Sequence, residues 1–212
     1  AITLNSANYD SWHFRGACKF YLNQFEEAIK DLDKAITLNP EDFDSWYCRS
    51  DSKYKLGQFE EAIKDLDKAI ELNPAHYGSW LCRGDSKNKL GQFEEAIKDL
   101  DKAIELNPAH YGSWLCRGAC KYRLGQFEEA IKDLDKTIEL NPIHPNSWHI
   151  RGACKFNLNR FEEAILDLDK AIEINPNYFV AYENRASAKR KLGDNEGADE
   201  DNKKADKLKK IK

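Results

Sequence analysis

Residues 77–110 read YGSWLCRGDSKNKLGQFEEAIKDLDKAIELNPAH, and the same order of residue types returns every 34 positions. Trp12, Trp46, Trp80, Trp114 and Trp148 keep that spacing, as do Pro40, Pro74, Pro108, Pro142 and Pro176. The 212 residues therefore divide into eight leading residues and six units of 34, a tandem array whose domain count cannot be taken from length. The units run 9–42, 43–76, 77–110, 111–144 and 145–178, with a divergent sixth over 179–212. Residues 1–8 read as the remnant of a preceding unit, because Ala1-Ile2-Thr3-Leu4-Asn5 repeats Ala35-Ile36-Thr37-Leu38-Asn39. Having no Met and opening on Ala1, the sequence reads as a piece of a longer, processed or engineered protein.

Within residues 77–110, apolar and small residues recur at helical spacing in two blocks: Trp80, Gly84 and Leu90, then Phe93, Ala96, Ile97, Leu100, Ala103 and Ile104. Each unit is thus a helix pair. Gly57, Gly91, Gly125 and Gly193, with Asn23 and Asn159 in the same place, fall between the blocks, where a left-handed residue ends the first helix. The second helix stops at Asn-Pro, as in Asn107-Pro108, since the residue before proline is driven out of the helical region. Links this short make neighbouring helices antiparallel.

Composition removes several classes of function. With 41% hydrophobic and 33% charged residues the chain has core material enough to fold, and no apolar run reaches the roughly 18 to 20 residues that span a bilayer. Net charge is −4, yet residues 203–212 hold six Lys and one Asp, so the body carries −9. That argues against nucleic-acid binding along it, which needs a basic stripe. Cys18, Cys48, Cys82, Cys116, Cys120 and Cys154 lie on first helices. Stacked units set equivalent residues about 8 to 10 Å apart or more, too far for a disulfide, so reduced thiols and a cytoplasmic location are expected. His76, His110 and His144 are separated in the same way, so no shared metal is expected. No cofactor or nucleophile motif is present, and carboxylates repeat in every unit where a catalytic site would be singular, so an enzyme is not expected.

With Trp80, Gly84, Ala96, Ala103 and Pro108 at positions 4, 8, 20, 27 and 32 of its unit, and counterparts in the other four regular units, the chain resembles the tetratricopeptide repeat family over its whole length. The sixth unit keeps Tyr182 and Ala198 but lacks the proline. The resemblance implies an all-α, right-handed superhelical solenoid of antiparallel helix pairs, with first helices lining a concave groove for a protein or peptide. Carried onto this sequence, groove positions 5 and 12 become His13, Phe20, Tyr47, Tyr54, Leu81, Asn88, Leu115, Tyr122, His149 and Phe156. Position 9 adds Asp51 and Asp85, and position 13 adds Tyr21, Lys55, Lys89, Arg123, Asn157 and Lys191. Such a stripe supplies aromatic anchors with charges to fix register; the alternative is that the rings only cover the helix seam. The carboxylate clamp by which some members hold acidic chaperone tails is absent, because position 6 is Phe14, Cys48, Cys82, Cys116, Ile150 or Asn184.

The chain departs from the family at positions 7 and 11, which are Arg and Lys in all six units, while position 23 is always Asp. Each Arg is expected to cross to the Asp of the facing helix in the bidentate geometry that guanidinium allows; the alternative is an Arg ladder gripping an acidic peptide. Glu26 to Lys30 and its counterparts, at i and i+4, are expected to pair on a solvated face. The polar, lysine-rich second helix of the sixth unit reads as a solenoid cap, with a basic tail for an acidic partner as the alternative. The functional expectation is a non-catalytic scaffold that binds a peptide or helix of a partner protein, with neither nucleic acid nor membrane. Its rivals are a structural array self-associating through the N-terminal end, an engineered consensus-like scaffold, and a regulatory segment of an enzyme.

Overall fold

The computed structural model describes residues 8–210, and the expected remnant over residues 1–8 lies, apart from Asn8, outside the described residues. Twelve helices are described there, and no strand. The first helices of the pairs are α1 (Tyr9–Tyr21), α3 (Phe43–Lys55), α5 (Tyr77–Lys89), α7 (Tyr111–Arg123), α9 (Pro145–Asn157) and α11 (Phe179–Lys191). The second are α2 (Phe25–Leu38), α4 (Phe59–Leu72), α6 (Phe93–Leu106), α8 (Phe127–Leu140), α10 (Phe161–Ile174) and α12 (Asn195–Lys209). Helices α1 to α6 form one compact unit and α7 to α12 another.

The turns follow the local chemistry. Asn23 and Asn159 take φ of 58° and 59°, and Gly57, Gly91, Gly125 and Gly193 take φ of 75° to 89°, so each first helix ends in a left-handed residue. The Asn before each proline is extended, as at Asn107 with φ −144° and ψ 85°, which closes the second helix.

Helices of a pair approach closely because position 8 is small. A Cβ added to Gly84 would stand 2.8 Å from Leu100 Cγ, and one added to Gly16 would stand 2.8 Å from Leu32 Cγ. Leu32, Leu66, Leu100, Leu134 and Leu168 are buried in that contact, each stabilising the fold by about 1.5–3 kcal/mol. Within the first compact unit, α2 packs on α3 and α4 on α5; within the second, α8 packs on α9 and α10 on α11. First helices also touch one another, α1 with α3 and α3 with α5, then α7 with α9 and α9 with α11. Within either unit, second helices do not touch one another among the described residues. Inside each compact unit the first helices therefore line the more tightly curved side.

The charge ladder is structural. All six position-7 arginines bond bidentately, Nε and Nη2 to both oxygens of the position-23 aspartate, at 2.5–2.9 Å. The position-11 lysines reach the same carboxylates at 2.7–3.0 Å. These aspartates are only 3–5% exposed, so the paired, hydrogen-bonded cations are what make their burial tolerable. Guanidinium carbons lie 4.5–4.8 Å from the ring centroids of Trp12, Trp46, Trp80, Trp114 and Trp148, a stacked cation–π contact. The remaining nitrogen joins successive pairs: Nη1 of Arg49, Arg83, Arg151 and Arg185 meets Asp33, Asp67, Asp135 and Asp169 at 2.5–2.6 Å. Each such arginine ties together three helices.

One electrostatic expectation fails. The ion pairs on the outer face of the second helices are not Glu26–Lys30 and its counterparts but Lys68–Glu71, Lys102–Glu105, Lys136–Glu139 and Lys170–Glu173, three residues apart. The lysines at those places lie nearer the helix C-terminus, where i+3 glutamates are within side-chain reach.

Candidate functional site: the first-helix faces

In the first compact unit, most of the aromatic stripe is engaged with neighbouring helices. His13 Nδ1 lies 3.1 Å from Ser45 Oγ and 3.8 Å from Asp42 Oδ2. Phe20 packs edge-on to Phe25 and Tyr21, and Tyr54 packs edge-on to Phe59. Tyr47 lies under His76, ring centroids 4.8 Å apart, with its hydroxyl 3.6 Å from Cys82 Sγ. Burial raises the Tyr47 phenol and pushes the Cys48 and Cys82 thiols up to about 12, so these groups stay protonated. Burial also pushes the Asp51 carboxyl up to about 6, partly offset by a hydrogen bond from Cys82 and by Lys55. The Tyr54 hydroxyl donates to Asp85 Oδ2, and Asn88 Nδ2 donates to Asp85 Oδ1 at 3.4 Å. Leu81 is half-buried, whereas Tyr21, Lys55 and Lys89 stand in solvent, Tyr21 at 82% exposure.

His76 has a plain structural use: its Nδ1 accepts from Ser79 N at 3.2 Å, capping α5, while its ring packs on Phe43 and Tyr47. His144 lies 3.1 Å from Ser147 Oγ at the start of α9, with its ring against Tyr111. All six cysteines are thiols, and no group of three metal-ligating side chains is assembled among the described residues.

In the second compact unit the face opens. Leu115 and Tyr122 pack against Ala130, Leu134 and Cys154, Tyr122 faces Phe127, and Phe156 packs edge-on to Phe161. Above these rings is a cavity of about 200 Å³ lined by Tyr122, Ala153, Phe156, Asn157, Asn184 and Ser187. A second cavity, about 420 Å³, shares Phe156 and Ser187 and extends to Arg190 and Lys191. Arg123 is solvent-exposed. His149 is held between Tyr178, whose oxygen lies 3.0 Å from Nδ1, and Asn184, whose Nδ2 lies 2.8 Å from Nε2. Burial lowers its imidazole to about 4. Asn157 Nδ2 donates to the Ala153 carbonyl at 2.8 Å. Both pocket amides are thus anchored, with their remaining polar atoms held in place.

Tyr122, Phe156 and Asn157 of the expected groove do line the first cavity, and Lys191 lines the second. Asn184, Ser187 and Arg190 were not among the expected groove residues; for Asn184 the signal was the replacement of Cys or Ile by Asn at position 6 in the last unit only.

Paired antiparallel helices, small residues at each crossing and a face lined by first helices define a tandem helix-pair repeat protein. Tetratricopeptide repeats match residues 9–42, 43–76, 78–110, 112–144, 145–178 and 168–200, and the chain belongs to the tetratricopeptide repeat family. No curated protein matches it in sequence. Among solved structures it is similar to YrrB, described as a TPR protein with an unusual peptide-binding site. There the TM-score is 0.71 at 24% identity, covering 84% of this chain and 91% of that one. It is also similar to MamA from Desulfovibrio magneticus RS-1, with TM-score 0.74, 19% identity and coverage of 80% and 96%. The Cut9-Hcn1 hetero-tetramer of the APC/C gives TM-score 0.83 at 17% identity, over 98% of this chain and 41% of that one. At these identities the likeness concerns the fold. No helix among the described residues is long and apolar enough to cross a membrane.

Proposed function

We propose that this chain is a non-catalytic interaction module that holds an extended peptide or a helix of a partner protein along its first helices. The observation that carries the reading is the α9–α11 face, where a cavity with two aromatic rings and two anchored amides adjoins a second that shares Phe156 and Ser187 and carries the cationic Arg190 and Lys191. Rigid rings supply contact area at low entropic cost, and fixed amides match a peptide backbone. The description of YrrB as a peptide binder of similar fold is in keeping with it.

The test is selection of displayed random peptides on the chain, followed by titration of the enriched sequences. Substitution should be made at Arg123 and Lys191, both solvent-exposed, because Tyr47, Tyr54 and Tyr122 are half-buried packing residues whose removal would loosen the helix pairs. A convergent peptide set that Arg123→Glu/Lys191→Glu no longer binds supports the proposal. Failure to enrich any peptide, or binding indifferent to those changes, refutes it.

A further inference from the structure

In the first compact unit, the carboxylate at position 9 of a first helix is held by a neighbouring first helix. Asp85 of α5 accepts from the Tyr54 hydroxyl of α3, which stands 31 residues before it at position 12. Asp51 of α3 accepts from Cys82 of α5, which stands 31 residues after it at position 6. A position-12 hydroxyl on one side and a position-6 donor on the other are therefore the two groups that meet a position-9 carboxylate.

In the second compact unit both donors stand around Ala153 of α9, and the carboxylate is missing. Tyr122 of α7 lies 31 residues before Ala153 and Asn184 of α11 lies 31 residues after it, and all three line the cavity of about 200 Å³. That volume admits one short side chain and falls below the roughly 300–1,000 Å³ of pockets for whole small molecules. Among the described residues the Tyr122 hydroxyl has no carboxylate partner. One Asn184 Nδ2 hydrogen is taken up at His149 Nε2, 2.8 Å away, which leaves the second for another acceptor. The charge around the cavity is one-sided. Helices α7, α9 and α11 carry a single carboxylate, Glu183, and Lys209 is bonded to it. Their position-7 and position-11 cations are neutralised by Asp133, Asp167 and Asp201, whereas Lys191, exposed at the adjoining cavity, adds a positive field.

We propose that this cavity seats an acidic side chain of the partner peptide, its carboxylate accepting from Tyr122 and Asn184 in the place that α3 and α5 fill with aspartates of their own. The inference rests on the reading of this face as peptide-binding and adds the class of residue it selects. An uncharged amide in the same place forgoes the charge-assisted hydrogen bonds. A basic side chain meets only donors and cations there, so it is rejected.

The first arm of the test needs no selected peptide. N-acetyl-aspartate methylamide is titrated onto the full chain at millimolar concentration while NMR follows the side-chain amides of Asn157 and Asn184. Their signals shift saturably, and N-acetyl-asparagine methylamide binds at least about tenfold more weakly. Tyr122→Phe, which keeps the ring as Phe156 does at the same position, weakens the aspartate probe by about tenfold. Ala153→Asp supplies the carboxylate from within, as Asp51 and Asp85 do on their helices, and abolishes binding of the probe while circular dichroism shows the chain still folded. The second arm uses peptides selected on the wild-type chain and amidated at the C-terminus. They carry an aspartate or glutamate whose change to asparagine or glutamine costs about tenfold, and Ala153→Asp does not bind them. Peptides that bind without an acidic residue, that need a free C-terminal carboxylate, or that bind Ala153→Asp unchanged overturn this assignment and leave the chain a peptide-binding module. If no peptide binds at all, that module reading fails, and the probe still decides the pocket: no saturable shift, or equal binding of the two probes, overturns the proposal.

Discussion

Acidification should weaken the second compact unit through one imidazole. His149 is enclosed by Tyr178 and Asn184, and because the Tyr178 hydroxyl donates to Asn146 Oδ1 at 2.9 Å, the network assigns the imidazole proton to Nδ1. Its Nε2 then accepts from Asn184, and a second proton there would face an N–H donor. Burial lowers the folded value to about 4 from 6.5. Between those values the unfolded chain binds the proton and the folded chain does not, so stability falls as pH drops through the window and the loss is complete near its lower edge. The full effect is about 3 kcal/mol, with about 1.4 kcal/mol lost by pH 5.5 and about 2.6 by pH 4.5. Asp51, pushed up to about 6, works in the opposite sense, since its folded carboxyl takes up a proton before the unfolded one does. The assay is therefore a difference: urea unfolding of the wild-type chain against His149→Gln from pH 7.5 to 4.5, alongside NMR titration of the ring. The wild-type midpoint should fall by about 1 M more than that of the variant, and the ring should stay neutral until near pH 4. A ring that titrates near 6.5, or parallel pH profiles, would refute the burial argument.

Two substitutions test the fold. Asp99→Ala strands Arg83 and Lys87 at a buried site and should cost about 3–5 kcal/mol in chemical denaturation. Asp67→Ala removes the exposed partner of the same Arg83 and should cost under about 1 kcal/mol, so equal losses would contradict the ladder. Gly84→Ala should lower stability by about 1 kcal/mol net, the crowding of Leu100 Cγ at 2.8 Å outweighing the gain in helix propensity; a raised melting temperature would contradict the close approach.

The features legible in the sequence are those fixed by backbone chemistry or by exact periodicity. Asn23 and Gly91 announce left-handed turns because few other residues adopt them, and Asn107-Pro108 announces a helix end for the same kind of reason. The Arg83–Asp99 bond was readable because the matched charges recur sixteen residues apart in every unit. The candidate site was less legible. The family resemblance assigns Tyr47, Tyr54 and Phe156 to the first-helix face, yet whether a ring points outward or lies against the start of its partner helix, as at Phe59 and Phe161, or against the more distant His76 depends on rotamers and packing. The pocket amide Asn184 breaks the repeat pattern at position 6, and its contact with His149, 35 residues away on another helix, exists only once the helices are packed.

The central claim, that a partner peptide lies on the first helices, is tested most directly by photo-cross-linking. A selected peptide carrying a benzophenone side chain should attach to residues of α9 and α11 around Phe156, Asn184 and Ser187, and free peptide should compete it away. Cross-links falling on α8 and α10 instead, with the first helices unlabelled, would contradict the account.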